Sequence, residues 1–193
     1  MNEVDSLTAD QRMLLTATEL FKRNGIQATG IEQIIEESGS ARGTLYHHFG
    51  SKAGLVAAAL DAEGVRWREW FFSELESRAS SPQGQLLAIF DAMQSWFREK
   101  GYTGCLFMNA IAECRSQDEA VRQATLRHKR MVNDRIRRIA KAAGAHDPKQ
   151  LTQQLDLLLD GLIITALVTK STKSVAQGRI AAEILIESSL AAN

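Results

Sequence analysis

The residues between Ser40 and Lys52 combine side chains that are suited to contacting DNA. Arg42 could donate two hydrogen bonds to one guanine, and Gly43 would let the main chain come close to a base pair. Hydroxyl, phenol, imidazole and ammonium groups in the same stretch can bind phosphates, which fix the register of a protein on the duplex. The predicted base-facing residues are Ser40, Arg42, Gly43 and Thr44, and the predicted phosphate-facing residues are Tyr46, His47 and Lys52.

Two short helices joined by a turn would position this segment. An apolar face of three isoleucines predicts a helix over 30–38, with a capping box that begins at Thr29. A second short helix is predicted over 42–48. Gly39 lies between them, and because glycine adopts a positive φ at no steric cost, the chain can reverse within about three residues. This pattern is typical of a helix-turn-helix; a helical hairpin that binds no nucleic acid is the alternative.

The charge balance does not by itself favour DNA as a partner. The 193 residues include 23 basic and 23 acidic side chains, so the formal net charge is zero. The first fifty residues hold four Lys and Arg residues against seven Asp and Glu residues, whereas DNA-binding domains are commonly basic. The motif must therefore outweigh the charge balance.

The rest of the chain is predicted to be helical. Only two prolines occur in the 193 residues, and proline interrupts helices. Glycine, serine and proline stop signals divide the sequence into nine segments. The predicted helices are 9–24, 30–38, 42–48, 52–78, 83–100, 104–115, 118–143, 148–170 and 173–191. The predicted fold class is all-α, with a helix-turn-helix DNA-binding domain over 1–51 and a ligand-binding and dimerisation domain over 52–193.

One stretch of the sequence resembles a known family. Residues 43–49 read Gly-Thr-Leu-Tyr-His-His-Phe, and together with residues 25–31, 38–42 and 50–52 they resemble the TetR family of bacterial regulators. The resemblance is close over residues 10–60 and extends further only as helices of the expected number and length. It implies a homodimeric repressor with an N-terminal helix-turn-helix that binds double-stranded operator DNA. It adds Thr29 to the phosphate contacts and His47 to the base contacts, with Leu45 and Phe49 on the core face.

Two positions depart from the family pattern. Ala41 stands where Ser or Thr usually caps the recognition helix, so Ser40 or water would have to satisfy the free amides. Gly30 stands where the family often has a hydroxyl, so one phosphate contact would be missing.

The resemblance also implies that the second domain binds a small-molecule effector between its helices. Aromatic and methionine side chains recur at helical spacing on helices 4, 5 and 6, and pockets form between bundled helices. An ordinary packed core is the alternative for each of these residues. Few charged residues share these faces, so the effector is expected to be apolar or aromatic. The predicted ligand-binding residues are Trp67, Phe71, Phe90, Met93, Phe97, Cys105 and Met108, with Asn109, Glu113, His128 and Thr165 as polar candidates.

Helices 8 and 9 are predicted to form the dimer interface. Both are apolar on more than one side, and such a helix needs more partners than one small bundle supplies. Pairing across a two-fold axis would supply them, although the core of a monomer is the alternative. The predicted interface residues are Leu155, Leu158, Leu162, Ala166, Ala182 and Ile186.

The two cysteines and the polar N-terminus predict a cytoplasmic protein with reduced thiols, and the resemblance implies a bacterial one. Cys105 lies at the predicted start of helix 6, where a thiol pKa can fall. A thiol that senses electrophiles or oxidants and a buried, inert thiol are both open.

Other function classes find little support in the sequence. It contains no G-x-S-x-G, P-loop or dinucleotide fingerprint, and its four histidines lack metal-ligand spacing, so no catalysis, metal or cofactor is expected. The longest apolar stretch, 157–168, contains Asp160 and is shorter than the roughly 20 residues of a membrane span. A helical small-molecule-binding protein that has lost DNA binding is the remaining alternative, and an intact segment from Arg42 to Lys52 argues against it.

Overall fold

The computed structural model describes residues 7–114 and 118–191. Within these residues all of the regular secondary structure is α-helical. In chain order the helices are α1 (Ala9–Asn24), α2 (Ile31–Ser38), α3 (Arg42–Phe49), α4 (Lys52–Arg78), α5 (Pro82–Phe97), α6 (Leu106–Cys114), α7 (Glu119–Ala142), α8 (Pro148–Thr169) and α9 (Lys173–Leu190). The all-α fold class is confirmed, and the predicted bounds lie close to the observed ones. The predicted end of helix 6 at residue 115 lies outside the described residues.

Local capping accounts for several of these helix starts. The Thr8 N–H donates to Gln11 Oε1 at 3.0 Å at the start of α1. The Asp147 carboxylate accepts the amides of residues 149 and 150 at 3.0 and 2.9 Å, at the start of α8, which satisfies two amides that the helix itself leaves free. The capping box predicted at Thr29 does not form. Gly30 is the N-cap of α2 and makes no side-chain cap bond.

The described helices group into two compact units. The first comprises the chain up to Arg66 together with Cys105–His128 and contains α1, α2, α3 and α6. The second comprises Trp67–Gly104 and the chain from Lys129 onward and contains α5, α8 and α9. α4 and α7 each contribute one part to each unit. The functional division predicted at residue 51 stays a prediction.

The core of the first unit holds the recognition helix in place. Leu45 of α3 is fully buried, and Phe49 packs against the same cluster, which confirms their predicted place on the core face. The surrounding buried residues include Met13, Leu20, Phe21, Ile34, Leu55, Leu60, Leu106 and Phe107. With only one face of α3 buried, the opposite face is left for solvent or for a partner.

The second unit has its own core, in which α9 packs against α8 and α5. Its fully buried side chains include Phe71, Leu75, Leu86, Ile89, Phe90, Leu155 and Ala182. A polar contact joins α7 to α8, because Lys129 Nζ donates to Asp156 Oδ1 and Asp160 Oδ1, each at 2.6 Å. α8 is long and apolar enough to cross a membrane by length and composition alone. One such helix is weak support for a span, because core helices of globular proteins have the same properties.

Candidate nucleic-acid interface and effector region

The turn between α2 and α3 has the geometry of a helix-turn-helix. Gly39 ends α2 in the left-handed region with φ 60° and ψ 28°, as the sequence predicted. The Gly39 N–H donates to Glu36 O and the Ser40 N–H to Ile35 O, each at 3.3 Å. These bonds satisfy carbonyls at the end of α2. α3 then begins at Arg42, after an extended N-cap residue, Ala41.

The outer face of α3 carries most of the side chains that were predicted to contact DNA. Arg42, Tyr46 and His47 are exposed, and Thr44 is half-buried. Gly43 is exposed as well, and a Cβ built there would meet no atom within 4 Å. A polar strip over a buried Leu45 is what a helix needs to enter a major groove with its N-terminal residues toward the bases.

Two residues predicted to contact DNA are instead used inside the fold. Ser40 is 8% exposed, and its hydroxyl donates to Ala9 O at 2.9 Å. It therefore fastens the turn to α1, and it does not cap α3. Thr29 is 0% exposed, and its hydroxyl donates to Gly25 O at 2.7 Å. Neither hydroxyl is placed for the contact predicted for it, because a nearby main-chain carbonyl already binds each one.

The turn between α1 and α2 is held by residues distant in sequence. Lys52 Nζ donates to Ile26 O at 2.7 Å. The Gln27 N–H donates to Glu113 Oε2 at 2.9 Å, and Gln27 Nε2 donates to Glu113 O at 3.3 Å. The same carboxylate lies against Gly25, whose φ is +87° and whose Cβ would come within 3.2 Å of both oxygens. Glu113, predicted as a polar effector contact, is thus a clamp on this turn. Because the partners lie 86 positions apart in the sequence, no sequence pattern signals the contact.

The basic side chains of the first fifty residues all have partners within the chain. Arg12 donates to Leu7 O at 2.8 Å and Ser38 O at 3.3 Å. Three ion pairs account for the others: Lys22 with Glu63 at 3.7 Å, Arg23 with Glu37 at 3.6 Å, and Arg42 with Glu32. The few positive charges of this region are therefore engaged by partners within the chain. Among them, the Arg42 guanidinium on the outer face of α3 is bound to the Glu32 carboxylate.

The predicted aromatic effector residues meet in the second unit. The Trp67 ring stacks on Phe71 at 4.6 Å and meets Trp96 edge-on at 5.5 Å. Tyr102, which was not predicted, contacts Trp96 and Phe97 with centroids 5.3 and 5.2 Å away. The predicted residues Phe90 and Met93 are buried in the core of this unit, whereas Cys105 and Met108 belong to the first unit.

The two cysteines are half-buried and not bonded to each other. Cys105 immediately precedes α6, and its carbonyl accepts the Asn109 N–H at 3.0 Å. Burial raises the pKa of the Cys114 thiol, and neighbouring Asp118 and Glu113 raise it further. The raised pKa disfavours the thiolate form of Cys114, whereas a sensing role for Cys105 stays a prediction.

The predicted dimer residues mostly lie inside the chain's own core. Five of the six are buried there, and Leu158 is half-buried; the five are Leu155, Leu162, Ala166, Ala182 and Ile186. The other face of the same helices carries an apolar strip that is 49% to 75% exposed. We call it the α8/α9 strip, and it consists of Leu157, Ile164, Val168, Ile180 and Ile184. Gly161 lies on its α8 side, where a Cβ would meet no atom within 4 Å.

Comparisons with known proteins agree with this architecture. Residues 14–59 match the family described as bacterial regulatory proteins, tetR family, and residues 82–182 match the tetracyclin repressor-like C-terminal domain. An uncharacterized HTH-type transcriptional regulator in the lacX 3' region of Lactococcus lactis is 31% identical over 63% of this chain and 63% of its own length. QacR of Staphylococcus aureus is 38% identical over 33% of this chain and 34% of its own. The chain thus matches less than two thirds of the length of these curated relatives.

Solved structures match over more of the chain. A TetR-family transcriptional regulator from Streptomyces coelicolor has a TM-score of 0.83 at 28% identity, covering 95% of this chain and 90% of its own. Reduced NemR of E. coli has a TM-score of 0.81 at 20% identity, covering 91% and 95%; at this identity the likeness concerns the fold alone.

Proposed function

This chain belongs to the TetR family of bacterial regulatory proteins and is a helix-turn-helix transcriptional regulator, and from that premise we propose a specific mode of action. The protein is a homodimeric repressor that binds an inverted-repeat operator and leaves it when a small apolar or aromatic effector binds the C-terminal region. The observation that carries DNA binding is the exposed polar strip of α3, which lies directly over the buried Leu45.

The residues proposed to contact DNA are mainly those whose side chains are exposed on α3. Arg42 reads a guanine, the main chain at Gly43 approaches the base pairs, and Thr44 and His47 complete the base-facing side. Tyr46 binds a phosphate. Lys52 binds a phosphate as well, and its bond to Ile26 O then fixes the turn between α1 and α2 relative to the DNA backbone.

The dimer contact is the α8/α9 strip. Its side chains are apolar and exposed in the single chain, and this many exposed apolar side chains on two helices favour an interaction site. The gap at Gly161 lets a second helix approach closely. An isologous two-fold contact of α8 and α9 with their copies buries the strip and closes the assembly at two subunits.

Effector binding takes place at the aromatic cluster around Trp67 and Trp96. Flat rings in edge and stacked contact can separate to admit another flat apolar molecule, with ring stacking as the gain. Trp67 and Phe71 lie on α4, the helix that begins beside the DNA-binding residues at Lys52. A shift of α4 on effector binding would change the separation of the two recognition helices, which must be about 34–36 Å for successive major grooves.

The decisive experiment is selection of bound sequences from random duplex DNA with the purified protein. Two equivalent recognition helices read two equivalent half-sites, so we expect an inverted repeat. Arg42→Ala should relax base preference at one position in each half-site, since a bidentate guanine contact is worth about 1–3 kcal/mol. Selection of single, non-palindromic sites would contradict the dimeric part of the proposal, and an unchanged motif with Arg42→Ala would remove Arg42 from the base contacts.

Gly43→Ala should change stability and DNA affinity in opposite directions. The added methyl group meets no atom of the chain, and alanine is favoured over glycine in a helix by up to about 1 kcal/mol. We therefore expect thermal unfolding at an equal or higher temperature. The same methyl group lies on the base-facing surface, so affinity for the selected site should fall. Unchanged affinity in a titration of that site would show that the main chain at Gly43 does not approach DNA.

Tryptophan emission should report effector binding directly. All three tryptophans of the chain belong to the aromatic cluster, so a bound aromatic molecule must alter their surroundings. A compound that saturates this signal should also weaken operator binding by about 5- to 150-fold, and by linkage the operator should weaken the compound by the same factor. A saturable emission change with no effect on operator affinity would show that binding at the aromatic cluster does not regulate DNA binding.

A further inference from the structure

Resting on the proposed operator binding, we propose that Glu32 sets the DNA selectivity of this protein by holding Arg42 away from non-specific phosphates. Glu32 lies in the first turn of α2, and Arg42 is the first residue of α3. Glu32 Oε1 accepts a hydrogen bond from Arg42 Nη2. The pair therefore links α2 to the N-terminal end of α3, which is the end proposed to face the bases.

This ion pair does not serve the stability of the fold. The two side chains are 75% and 53% exposed, and ion pairs between such exposed groups contribute little to folding. Exposure also means that a partner from solution can take Arg42 from Glu32 without opening the core. The pair thus engages the guanidinium in the free protein and is weak enough to be exchanged.

The other Lys and Arg side chains of the first fifty residues are also engaged within the chain and do not compensate for the neutralisation of Arg42. Lys22 and Arg23 pair with Glu63 and Glu37, and Arg12 donates to main-chain carbonyls. Non-specific binding to DNA depends on cations that displace counterions from phosphates. When α3 lies loosely on a random duplex, a phosphate must displace Glu32 from Arg42 before it can bind the guanidinium, so that phosphate contact contributes less. Non-specific affinity is lower as a result.

The operator complex differs because α3 enters the groove there. Guanine offers N7 and O6 in the geometry that the guanidinium fork matches, and the phosphates on both sides repel the Glu32 carboxylate. Arg42 exchanges to the base, at the small cost of breaking an exposed ion pair. Glu32 therefore penalises random sequences more than the operator, which raises the ratio of operator affinity to random-duplex affinity.

Glu32→Gln tests this role, with Glu36→Gln as the matched control. Glu36 is an exposed glutamate on the same helix, so its variant loses the same charge without releasing Arg42. For Glu32→Gln, the plot of log affinity against log salt on random duplex should steepen by about 1.8 per dimer, since two added phosphate contacts give about 0.9 each. The operator slope should stay within about half a unit of wild type, and the affinity ratio should fall roughly tenfold.

The proposal also requires that the effect of Glu32→Gln on random-duplex binding depends on Arg42. In an Arg42→Ala background, Glu32→Gln should leave the random-duplex slope unchanged. Equal shifts with Glu32→Gln and Glu36→Gln would overturn the proposal in favour of bulk charge. A loss of operator affinity with Glu32→Gln would overturn it in favour of a Glu32 that orients Arg42 toward guanine. If the wild type preferred no sequence, the proposed operator function would fail, yet the random-duplex slopes would still decide the role of Glu32. Binding to no duplex at any salt concentration would overturn both.

Discussion

Ile184→Arg should convert the protein to a monomer and abolish high-affinity operator binding. Ile184 is 63% exposed in the single chain, so arginine is accommodated there before dimerisation. In the proposed two-fold contact the substitution buries two unpaired charges, and one such charge costs about 3–5 kcal/mol. Dimerisation should weaken by at least about 10²-fold at 1.4 kcal/mol per decade. Operator affinity should fall with it, because one half-site holds half of the contacts. Sedimentation at micromolar concentration measures the first effect, and titration of the selected operator measures the second.

Two further substitutions separate this effect from general damage. Leu126→Arg places the same charge on α7 at a residue that is 42% exposed, and it should leave both the dimer and operator binding intact. Leu162→Arg should instead unfold the chain, because Leu162 is 6% exposed and its methyl groups lie within 3.1 Å of where a Cβ on Gly178 would be. An Ile184→Arg protein that remains dimeric would move the interface away from the α8/α9 strip.

Phe71→Ala should be the most destabilising single substitution in the aromatic cluster. Phe71 is 0% exposed and stacks on Trp67. Removing a buried phenylalanine costs about 3–5 kcal/mol because transfer free energy is lost and a cavity remains. For a chain of this size that corresponds to a fall in Tm of roughly 6–20 °C. Thermal unfolding followed by far-UV circular dichroism measures the effect.

The adjacent residue provides the control for Phe71→Ala. Phe72 is half-buried, and the Arg135 guanidinium lies 5.2 Å above its ring. A cation–π contact at a partly exposed site is worth about 0.5–1 kcal/mol, and a half-buried ring loses less transfer free energy than a fully buried one, so Phe72→Ala should lower Tm by less than Phe71→Ala does. Equal effects of the two substitutions would show that the cluster around Trp67 is loosely packed. To test effector binding at Phe71 without this loss of stability, titrations should use Phe71→Leu, which keeps most of the buried volume.

The sequence predicted the helices well because their ends carry local signals. The stop at Gly39, the proline that begins α8 and the glycine after α1 act on their immediate neighbours, and capping and turn rules describe such short-range effects. The TetR resemblance likewise rests on one contiguous segment around α3. The fold class, the helix bounds and the helix-turn-helix were therefore open to prediction from sequence.

The side chains at the sites were harder to predict because their partners are distant in the chain. α8 and α9 are apolar on two faces, and periodicity alone does not tell which face the chain buries itself. Ser40 and Thr29 look like DNA-contacting hydroxyls until their carbonyl acceptors on neighbouring segments are known. The ion pair between Glu32 and Arg42 depends on how α2 and α3 meet, and the composition of the first fifty residues shows only an excess of acidic side chains.

The bond between Gln27 and Glu113 places one main-chain amide of the turn between α1 and α2 under the control of α6. That amide exchanges with solvent only when its hydrogen bond to the Glu113 carboxylate is broken. Its hydrogen-exchange rate therefore depends on how often this bond breaks. The turn is also held from within, because the Thr29 hydroxyl donates to Gly25 O, so loss of the bond to Glu113 need not unfold it. The exchange rate of the Gln27 amide, compared between wild type and Glu113→Gln, therefore measures how strongly the carboxylate of α6 protects the turn.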